Sequence, residues 1–294
     1  MSAERISVVV PTLGRRDALA RCLDALLTGT VAPTEIVVVD QSADSEIERL
    51  LEATRTEATE LHRLDHAARG LSAARNAGTR AAMGDIVAFT DDDCIPAAEW
   101  IEQLLAAFAA DTQLAAVTGP MLPPPGVEGV GVASRTSTVR RVFSRRALPW
   151  EIGTGGNTAV RRGWLERLSG YDERLGVGTP GRAGEDLDLF RRLLEAGGSI
   201  AYDPEVVCRH ERKTRAELSA RRYGYGVGAG TALGRWLRDG EPWALVALAR
   251  WLGLRARMLL RPEGERRSTV DEARVVLGTA VGFISGVARR AWSA

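Results

Sequence analysis

The stretch Gly84-Asp-Ile-Val-Ala-Phe-Thr-Asp-Asp-Asp93 decides the fold of this 294-residue chain. Its first part, Asp85–Thr90, is a short apolar run typical of a strand buried on both faces of a sheet, and three carboxylates follow it at once. Runs of the same kind occur at Ile6–Val10, Glu35–Asp40 and Leu114–Thr118. The segments between these runs have apolar residues at helical spacing. This alternation predicts βαβ units around a mostly parallel sheet in roughly the first 120 residues.

The predicted helices complete this pattern. We expect them at Asp17–Leu27, Ile47–Ala58, Leu71–Met83, Trp100–Ala110, Arg162–Leu168 and Glu185–Ala196. A short strand is predicted at Ser199–Tyr202, strand-like character continues to Cys208, and from Arg215 the pattern is helical and rich in arginine. The expected fold class is therefore α/β, a mostly parallel sheet flanked by helices in residues 1–214, with a basic helical C-terminal extension in residues 215–294.

Composition argues against several classes of protein. A hydrophobic content of 45% is enough for a core, so a disordered chain is not expected. Cys22, Cys94 and Cys208 show no Cys-x-x-Cys spacing, which argues against a disulfide framework and indicates a reducing compartment. The uncharged run Val275–Ala288 would span about 21 Å as a helix, less than the ~30 Å of a bilayer core. No long apolar segment opens the chain, so we expect a cytoplasmic protein.

Asp91, Asp92 and Asp93 are the strongest candidates for chemistry. Consecutive carboxylates at a strand end repel one another, and a divalent cation relieves this repulsion. The carboxyl ends of parallel strands are also where ligands bind in such sheets. In an extended segment alternate residues share a face, so Asp91 and Asp93 are expected to point into one site. The alternative is an acidic turn in solvent.

Two further positions have two interpretations each. Asp40, at the end of its strand, could accept hydrogen bonds from a base or a ribose, or it could cap the following turn. The segment Arg69–Gly78 begins a helix, and Arg69 and Arg75 suit an anionic phosphate at the helix N-terminus. The alternative for this segment is a helix start with surface arginines.

A second acidic cluster lies at the helix start Gly184–Arg192. Acidic residues are common in a first helical turn, but three of them within four residues exceed what the helix dipole favours. Asp186 or Glu185 is therefore a candidate general base that takes a proton from a hydroxyl, and Asp188 could orient that turn. His210 follows the last predicted strand, where an imidazole can complete an aspartate-based metal site, although a lone histidine is more often structural.

Taken in order, these segments resemble the family 2 glycosyltransferases, which have the GT-A nucleotide-sugar fold. The matching segments lie within residues 6–212 and are Val8-Val-Val-Pro-Thr-Leu-Gly-Arg15, Val37-Val-Val-Asp40, Arg69-Gly-Leu-Ser-Ala-Ala-Arg-Asn-Ala-Gly78, the Gly84–Asp93 stretch, Gly153-Thr-Gly-Gly-Asn157, Gly184-Glu-Asp186 and Arg209-His210. The resemblance implies an inverting, non-processive enzyme with a GT-A-type sheet.

The resemblance also implies a role for each matching residue. Those that would bind the nucleotide sugar are Pro11, Thr12, Arg15, Asp40, Arg69, Arg75, Asn76, Asp91 and Asp92. Those that would bind a metal ion, Mg²⁺ or Mn²⁺, are Asp91, Asp93 and His210. Gly155, Gly156 and Asn157 would line the floor near the sugar and the acceptor, and in the catalytic pair Glu185–Asp186 the second residue would be the base.

The expected reaction is a single displacement that inverts the anomeric centre. An acceptor hydroxyl attacks C1 of the sugar while a nucleoside diphosphate leaves, and the metal ion offsets charge on the leaving group. The donor would carry UDP, dTDP or GDP, and the segment after Asp40, Gln-Ser-Ala-Asp44, leaves the base open. Arg235-Trp236 and Arg250-Trp251 lack the Gln that precedes Arg-Trp in processive members, so we expect one sugar per acceptor visit. The acceptor would be a glycan, a lipid-linked glycan or a small molecule, in cell-surface or lipid-linked glycan synthesis.

The C-terminal extension carries the positive charge of the chain. Residues 210–294 contain 16 basic and 8 acidic side chains, although the whole chain has a net charge of +1. Within Pro242–Arg261, three arginines share a helix face, namely Arg250, Arg257 and Arg261, while Arg255 lies away from them. These helices either pack on the first domain or lie, through residues 242–292, on the inner face of a membrane with anionic lipids. No recognition motif accompanies them, so no nucleic-acid partner is expected.

Two other classes of protein remain as alternatives. A metal-dependent nucleotidyltransferase would also use aspartates at a strand end, but it would need a glycine-rich basic loop where this chain has Pro11-Thr-Leu-Gly-Arg15. A non-catalytic nucleotide-sugar-binding protein would be expected to lose the acidic set, yet Asp91, Asp93 and Asp186 are all present. Release of the nucleoside diphosphate from a nucleotide sugar separates an enzyme from a binding protein.

Overall fold

In the computed structural model, which describes residues 4–42, 45–67, 70–126, 134–260 and 269–288, the chain folds around a sheet of eight strands. In spatial order the strands are β3 (Glu60–Asp65), β2 (Glu35–Asp40), β1 (Ile6–Thr12), β4 (Ile86–Phe89), β9 (Thr158–Arg161), β6 (Leu114–Thr118), β10 (Ser199–Tyr202) and β8 (Arg141–Phe143). Six of these strands run in one direction, and β9 and β8 run in the other. This topology confirms the expected α/β class with a mostly parallel sheet.

Helices cover both faces of the sheet because its central strands are apolar on both sides. Along β1, Val8 and Val10 belong to one buried cluster and Val9 belongs to the other. The first face is covered by α1 (Arg16–Leu27), α2 (Ser45–Ala53) and α4 (Trp100–Ala110). The second face is covered by α3 (Leu71–Ala81), α5 (Arg162–Arg167) and α6 (Glu185–Glu195). Each fully buried large apolar side chain contributes about 1.5–3 kcal/mol, so this packing holds the strand ends in place.

The structure differs from the sequence-based prediction at several elements. β3 has the polar sequence Glu-Leu-His-Arg-Leu-Asp and lies at the edge of the sheet, so it lacks the apolar run of a central strand. The strand-like prediction for Tyr202–Cys208 is wrong, because β10 ends at Tyr202 and a turn follows. The helix predicted to reach Ala58 ends at Ala53. The hydroxyl of the following residue, Thr54 Oγ1, donates a hydrogen bond to the Leu50 carbonyl oxygen at 2.7 Å.

A second sheet of three short strands lies next to the end of β4. It consists of β5 (Cys94–Pro96), β11 (Cys208–His210) and β7 (Met121–Leu122). β11 runs antiparallel to β5, and their register pairs His210 with Cys94. Because Cys94 directly follows Asp93, this small sheet brings the distant His210 to the acidic turn.

Three helices make up the described part of the C-terminal extension, α7 (Arg215–Arg238), α8 (Trp243–Leu260) and α9 (Thr269–Val287). Thr214 begins α7 with a capping box, in which its hydroxyl and the Glu217 carboxylate each accept from the other residue's backbone N–H. The predicted boundary at residue 214 coincides with this helix start, and the division into two domains stays a prediction. No helix within the described ranges combines the length and apolar composition needed to cross a bilayer. Arg261 and residues 289–292, part of the predicted membrane face, lie outside those ranges.

α7 and α9 pack very closely along two rows of glycine. The glycines recur every four residues, at Gly226, Gly230 and Gly234 of α7 and at Gly278, Gly282 and Gly286 of α9. A Cβ at Gly226 would lie 2.1 Å from the Val275 carbonyl oxygen, and a Cβ at Gly282 would lie 2.1 Å from that of Val227. Since no side chain fits there, glycine is what allows the two backbones to touch.

Candidate active site

A cavity of about 430 Å³ lies at the carboxyl end of β4, the edge at which ligands bind in such sheets. The predicted site residues that line it are Arg75, Asp91, Gly155, Gly156, Glu185, Asp186 and His210. They come from five separate segments of the chain, and the fold brings them together around one space.

The three aspartates after β4 form a tight turn. The Cys94 N–H donates to the Asp91 carbonyl oxygen at 3.0 Å, which closes the turn. The extended segment expected from the sequence is therefore absent here, and the argument that alternation aligns Asp91 with Asp93 is wrong. Because successive residues of a turn point in different directions, the three carboxylates have different sets of partners, although Arg15 contacts both Asp92 and Asp93.

Asp92 is fully buried behind the cavity. Its Oδ2 accepts hydrogen bonds from Thr12 Oγ1 at 2.8 Å and from Arg15 Nε at 3.0 Å. Burial raises the pKa of Asp92 to about 6, although the charge of Arg15 and the Thr12 hydrogen bond act in the opposite direction. Pro11 is buried within β1. The predicted nucleotide contacts at Pro11, Thr12 and Asp92 thus fall on buried residues that shape the strand end.

Asp93 is surrounded by three basic groups. Its Oδ2 lies 2.7 Å from Arg15 Nη1 and 2.6 Å from Lys213 Nζ, and its Oδ1 lies 3.5 Å from His210 Nε2. Burial alone would raise the pKa of Asp93, but His210, Lys213 and Arg15 lower it to about 2. Sequence reasoning missed Lys213, and the available signal was that it is the single lysine among 39 basic residues.

Asp93, Cys94 and His210 form a group that fits a metal ion. One ligand atom from each residue lies within 4.8 Å of the others. A hydrogen bond with Cys208 and burial raise the pKa of the Cys94 thiol, so it stays protonated and is a poor ligand. The remaining carboxylate and imidazole suit Mg²⁺ or Mn²⁺, with phosphate oxygens completing the shell. The predicted cofactor therefore fits at Asp93 and His210, and Asp91 lies outside this group.

Arg75 is buried and links the two acidic segments. Its Nη2 lies 2.8 Å from Asp91 Oδ1, and its Nη1 lies 3.2 Å from Glu185 Oε1. The guanidinium lies over the Tyr171 ring, 5.4 Å from its centroid. Burial, followed by the charge of Asp186, raises the pKa of Glu185 to about 7. Arg75 therefore fixes Asp91 relative to Glu185, a pairing that the sequence did not predict.

Asp186 is oriented by two backbone N–H groups. Gly155 donates to its Oδ2 at 3.1 Å, and Leu187 donates to its Oδ1 at 2.8 Å. Burial raises the pKa of Asp186, although these hydrogen bonds and the charge of Arg75 lower it. A carboxylate with a fixed direction and a raised pKa at the wall of a cavity has the properties of a general base.

Gly155 and Gly156 form the floor of the cavity. A Cβ at Gly155 would lie 2.5 Å from Arg75 Nη1, and a Cβ at Gly156 would lie 2.8 Å from Asp91 Oδ2. Both positions need glycine because the Arg75–Asp91 pair passes directly beneath the backbone.

Asn157 and Asn76, both expected at the substrate, lie behind the cavity instead. Asn157 is fully buried, and its Nδ2 donates to the carbonyl oxygens of Pro120 and Val206 at 2.9 and 2.8 Å. Asn76 Nδ2 donates to the Tyr171 carbonyl oxygen at 2.8 Å, and its Oδ1 accepts from the Tyr171 N–H at 2.7 Å. Because both amides are engaged with the backbone, these residues position loops around the site and do not reach into it.

Asp40 caps the turn that follows its strand, which is the second of the two interpretations of the sequence. Its Oδ1 accepts from the Ser42 N–H at 2.9 Å, which caps the turn, and its Oδ2 pairs with Arg63 Nη2 at 3.0 Å. Arg63 belongs to β3 and was missed together with that strand. Arg69, also predicted at the nucleotide sugar, and Asp44 lie outside the described residues.

The opposite wall of the cavity comes from the C-terminal helices. Its residues are Arg221, Arg222 and Tyr225 of α7, Trp251 and Arg255 of α8, and Val275 of α9. A Cβ at Gly228 would lie 2.3 Å from the Ala183 carbonyl oxygen, so α7 packs against the turn that precedes Glu185 and Asp186. Sequence reasoning placed no site residue here, and no local motif marks these positions.

Comparisons relate the chain to known proteins. Residues 7–169 match the sequence profile described as Glycosyl transferase family 2. The succinoglycan biosynthesis protein ExoM of Rhizobium meliloti is 31% identical over 291 residues, which cover 93% of this chain and 90% of that protein. The pre-mycofactocin glycosyltransferase of Mycobacterium tuberculosis is 29% identical over 76% of this chain, and the match spans 46% of that relative's length.

One solved structure shares the fold over nearly the whole chain. The mannosyltransferase PcManGT from Pyrobaculum calidifontis, in complex with GDP-Man and Mn²⁺, has a TM-score of 0.66 at 22% identity and covers 97% of this chain and 88% of its own. At this identity the similarity shows the fold alone, and it confirms the predicted fold class.

Proposed function

Because this chain belongs to glycosyl transferase family 2, we propose that it transfers one sugar, with inversion, from a nucleoside diphosphate sugar to an acceptor hydroxyl. Family membership confirms the resemblance found in the sequence and the prediction of a glycosyltransferase. The observation that carries the proposal is the cavity in which Asp91, Asp186 and His210 meet. A base at one wall and donor-binding groups at another allow attack on a sugar held between them.

Asp186 is the proposed general base. Its two backbone hydrogen bonds aim the carboxylate, and its position at the cavity lets it take the proton of the acceptor hydroxyl. Glu185, the other predicted catalytic residue, is engaged with Arg75 at 3.2 Å. Its proposed contribution is to hold Arg75, and through it Asp91, in place.

A divalent cation, Mg²⁺ or Mn²⁺, is proposed at Asp93 and His210. When bound, such an ion offsets the charge that develops on the leaving diphosphate. Arg15 and Lys213 add positive charge at the same carboxylate. The Mn²⁺ and GDP-Man bound to PcManGT support a metal and a nucleotide sugar in this chain.

The test of this function is a donor screen followed by a turnover assay. We expect one of the UDP-, GDP- or dTDP-sugars to raise the melting temperature with Mn²⁺ and to lose this effect with EDTA. The preferred donor should release its nucleoside diphosphate in the presence of the wild-type protein. Donor binding without any release would point to a non-catalytic binding protein, and release of pyrophosphate from a nucleoside triphosphate and a sugar phosphate would point to a nucleotidyltransferase.

The anomeric configuration of the product tests the proposed inversion. Proton NMR of the product at early times should show the anomer opposite to that of the donor, because one displacement at C1 inverts the centre. Retention of the donor's configuration would contradict a single displacement by a hydroxyl activated at Asp186.

A role in cell-surface or lipid-linked glycan synthesis is part of the proposal. It is supported by the similarity to the succinoglycan biosynthesis protein over 93% of this chain. The exposed apolar residues of α9, Val270, Leu277, Val281, Ile284 and Val287, support it independently, since they lie within an arc of about 120° on one helix face.

The proposed surface for this role is an anionic membrane. On α8 the exposed residues Leu245, Val246 and Leu252 form an apolar face, and the exposed Arg250 and Arg257 lie at its edge. An apolar face edged by arginine is typical of helices that lie at a lipid interface, where each basic residue adds about 1 kcal/mol. Arg255 is buried and takes no part, in agreement with its predicted position away from Arg250 and Arg257.

Vesicle co-sedimentation tests this surface. We expect wild type to bind vesicles with anionic lipid more strongly than neutral vesicles, and Ile284→Glu to weaken binding. Val139→Glu is the control, because Val139 is as exposed as Ile284, 64% against 68%, but lies outside the helices. Equal binding of wild type to both kinds of vesicle, or equal binding by Ile284→Glu, would argue against membrane contact.

A further inference from the structure

The cavity wall built by the C-terminal helices carries two arginines, and the acid on which the charge of Arg221 acts, Glu217, is already hydrogen-bonded to Thr214. Arg221 and Arg222 line the cavity, and neither forms an ion pair or a hydrogen bond within the described ranges. Arg222 Nε is shielded from solvent and has no hydrogen-bond partner there. The other cavity arginines differ, since Arg75 is paired with two acids and Arg255 Nη1 lies 3.2 Å from a Glu272 oxygen.

We propose that the acceptor carries a phosphate group, which Arg221 and Arg222 bind. This inference rests on the proposed glycosyl transfer and names the chemistry of its acceptor. A phosphate monoester carries a charge of about −1.5 to −2 at neutral pH, which two arginines match, whereas a carboxylate needs one. A guanidinium holds two phosphate oxygens at once, and an arginine nitrogen away from water gains from such a bond.

The course of α7 places these arginines beside the acceptor. The helix packs at Gly228 against the turn that carries the base. Arg222 lies six residues before Gly228, which is about 9 Å along the axis at ~1.5 Å per residue. Arg222 and Asp186 both line the cavity, so a phosphate at Arg222 and a hydroxyl at Asp186 can belong to one acceptor. The donor diphosphate has its own cations, because Arg15 and Lys213 lie at Asp93.

Aromatic residues complete the wall around the arginines. Tyr225 lies one turn from Arg221 on the same helix and also lines the cavity. Trp150 and Trp251 line it as well, with ring centroids 5.2 Å apart in an edge-to-face arrangement. These rings offer apolar surface for the carbon face of a sugar or for the start of a lipid chain. The phosphate can therefore belong to a soluble sugar phosphate or to a lipid-linked one.

Titration calorimetry with defined probes tests the proposal. The protein is first saturated with Mn²⁺ and with whichever of UDP, GDP or dTDP binds most tightly, and then titrated with α-D-glucose 1-phosphate. A second arm uses glucose joined to a dodecyl chain through a diphosphate in detergent micelles, because this link carries a charge of about −2 like the monoester, and a third uses neutral methyl α-D-glucopyranoside. We expect binding of a phosphate-bearing probe and no binding of the neutral one. Binding of the dodecyl form alone would assign the phosphate to a lipid, and binding of both would assign it to either source.

Paired variants decide whether the two arginines are responsible. Arg221→Gln with Arg222→Gln should weaken the phosphate probe by about tenfold or more and leave nucleoside diphosphate affinity within about twofold of wild type. Arg55→Gln with Arg146→Gln is the control, because it removes the same charge from exposed positions outside the cavity and the C-terminal helices. Arg221→Lys with Arg222→Lys should recover part of the affinity. The single variants Arg221→Gln and Arg222→Gln and the melting temperature of each variant distinguish loss of probe binding from loss of folding.

Three results would overturn the proposal. They are failure of both phosphate-bearing probes to bind wild type, unchanged probe affinity in the double Gln variant, and an equal loss of nucleoside diphosphate affinity, which would assign the arginines to the donor. Failure of every nucleoside diphosphate to bind in the first titration would count against the proposed function itself, so the two failures are distinguishable.

Discussion

Lys213 Nζ lies 2.6 Å from Asp93 Oδ2, so the ammonium of the single lysine in the chain is paired with the carboxylate that fits a metal ion. Lysine is a compact point charge, which suits a site already shared with Arg15 and His210. A divalent cation at Asp93 has to compete with this ammonium. A donor diphosphate offers Lys213 another anionic partner, so metal binding and donor binding should depend on each other.

Lys213→Met should therefore bind Mn²⁺ more tightly than wild type in the absence of nucleotide, by about three- to tenfold, because a competing cation is gone. The same variant should bind the nucleoside diphosphate less tightly. Calorimetric titration of Mn²⁺ with and without nucleotide measures both effects, and Lys213→Arg is the charge-preserving control. An unchanged Mn²⁺ affinity would show that Lys213 does not compete for Asp93.

Asp186→Asn should lower turnover by about 10²- to 10⁴-fold with donor affinity intact, because an amide accepts no proton. Since burial raises the pKa of Asp186, kcat/KM of the wild type should fall as pH drops through a value above the usual ~3.9. Initial rates across pH measure this limb. Asp17→Asn, at an 81% exposed side chain, is the control and should leave the profile unchanged. If Asp186→Asn turned over substrate as fast as the wild type, Asp186 would not be the general base.

Asp92 should make stability depend on pH. Its folded-state pKa of about 6 lies above the ordinary value of 3.8, so its contribution is fully present below pH 3.8 and is lost as pH rises through about 6. An asparagine at this position does not ionise, so Asp92→Asn does not lose stability in this way as pH rises. The free energy of unfolding of Asp92→Asn minus that of wild type should therefore increase by up to about 3 kcal/mol between pH 4 and pH 7. Urea unfolding at both pH values measures it. A difference independent of pH would mean that Asp92 is ionised throughout this range.

The glycine rows between α7 and α9 should be essential for stability. Gly282→Ala places a Cβ 2.1 Å from the Val227 carbonyl oxygen, so the helices must separate, at a cost of about 1–3 kcal/mol or more. Activity should fall as well, because α7, α8 and α9 all line the cavity. Gly253→Ala in α8 is the matched control, since its Cβ meets nothing within 4 Å, and it should stabilise by about 0.4–1 kcal/mol. Equal melting temperatures for the two variants would contradict this close packing.

The elements that the sequence predicted well are those whose signal is local. Strands buried on both faces carry continuous apolar runs, so β1, β2, β4 and β6 were found. The edge strand β3 carries no such run and was missed, and Arg63, the partner of Asp40, was missed with it. The glycine rows of α7 and α9 are visible in the sequence at four-residue spacing, but their meaning depends on two helices meeting.

Some predicted site residues have contacts other than those expected from the sequence. Asn157 and Asn76 lie in matching motifs, yet their amides are bonded to backbone groups behind the cavity. A motif shows that a residue type is needed at a position, and it does not show whether the side chain faces the ligand or the scaffold. Burial decides that question, and burial depends on the whole fold.

The sequence by itself determined the alternation of β1, β2, β4 and β6 with helices, the acidic group Asp91–Asp93 at a strand end and the pair Glu185–Asp186 at a helix start, because each depends on neighbouring residues. Only the tertiary structure decided the partners of these acids. Lys213 reaches Asp93, and Arg75 links Asp91 to Glu185, through the register of the small sheet and the packing of helices on the large one. Charges pair through space, at distances that the spacing along the chain does not encode.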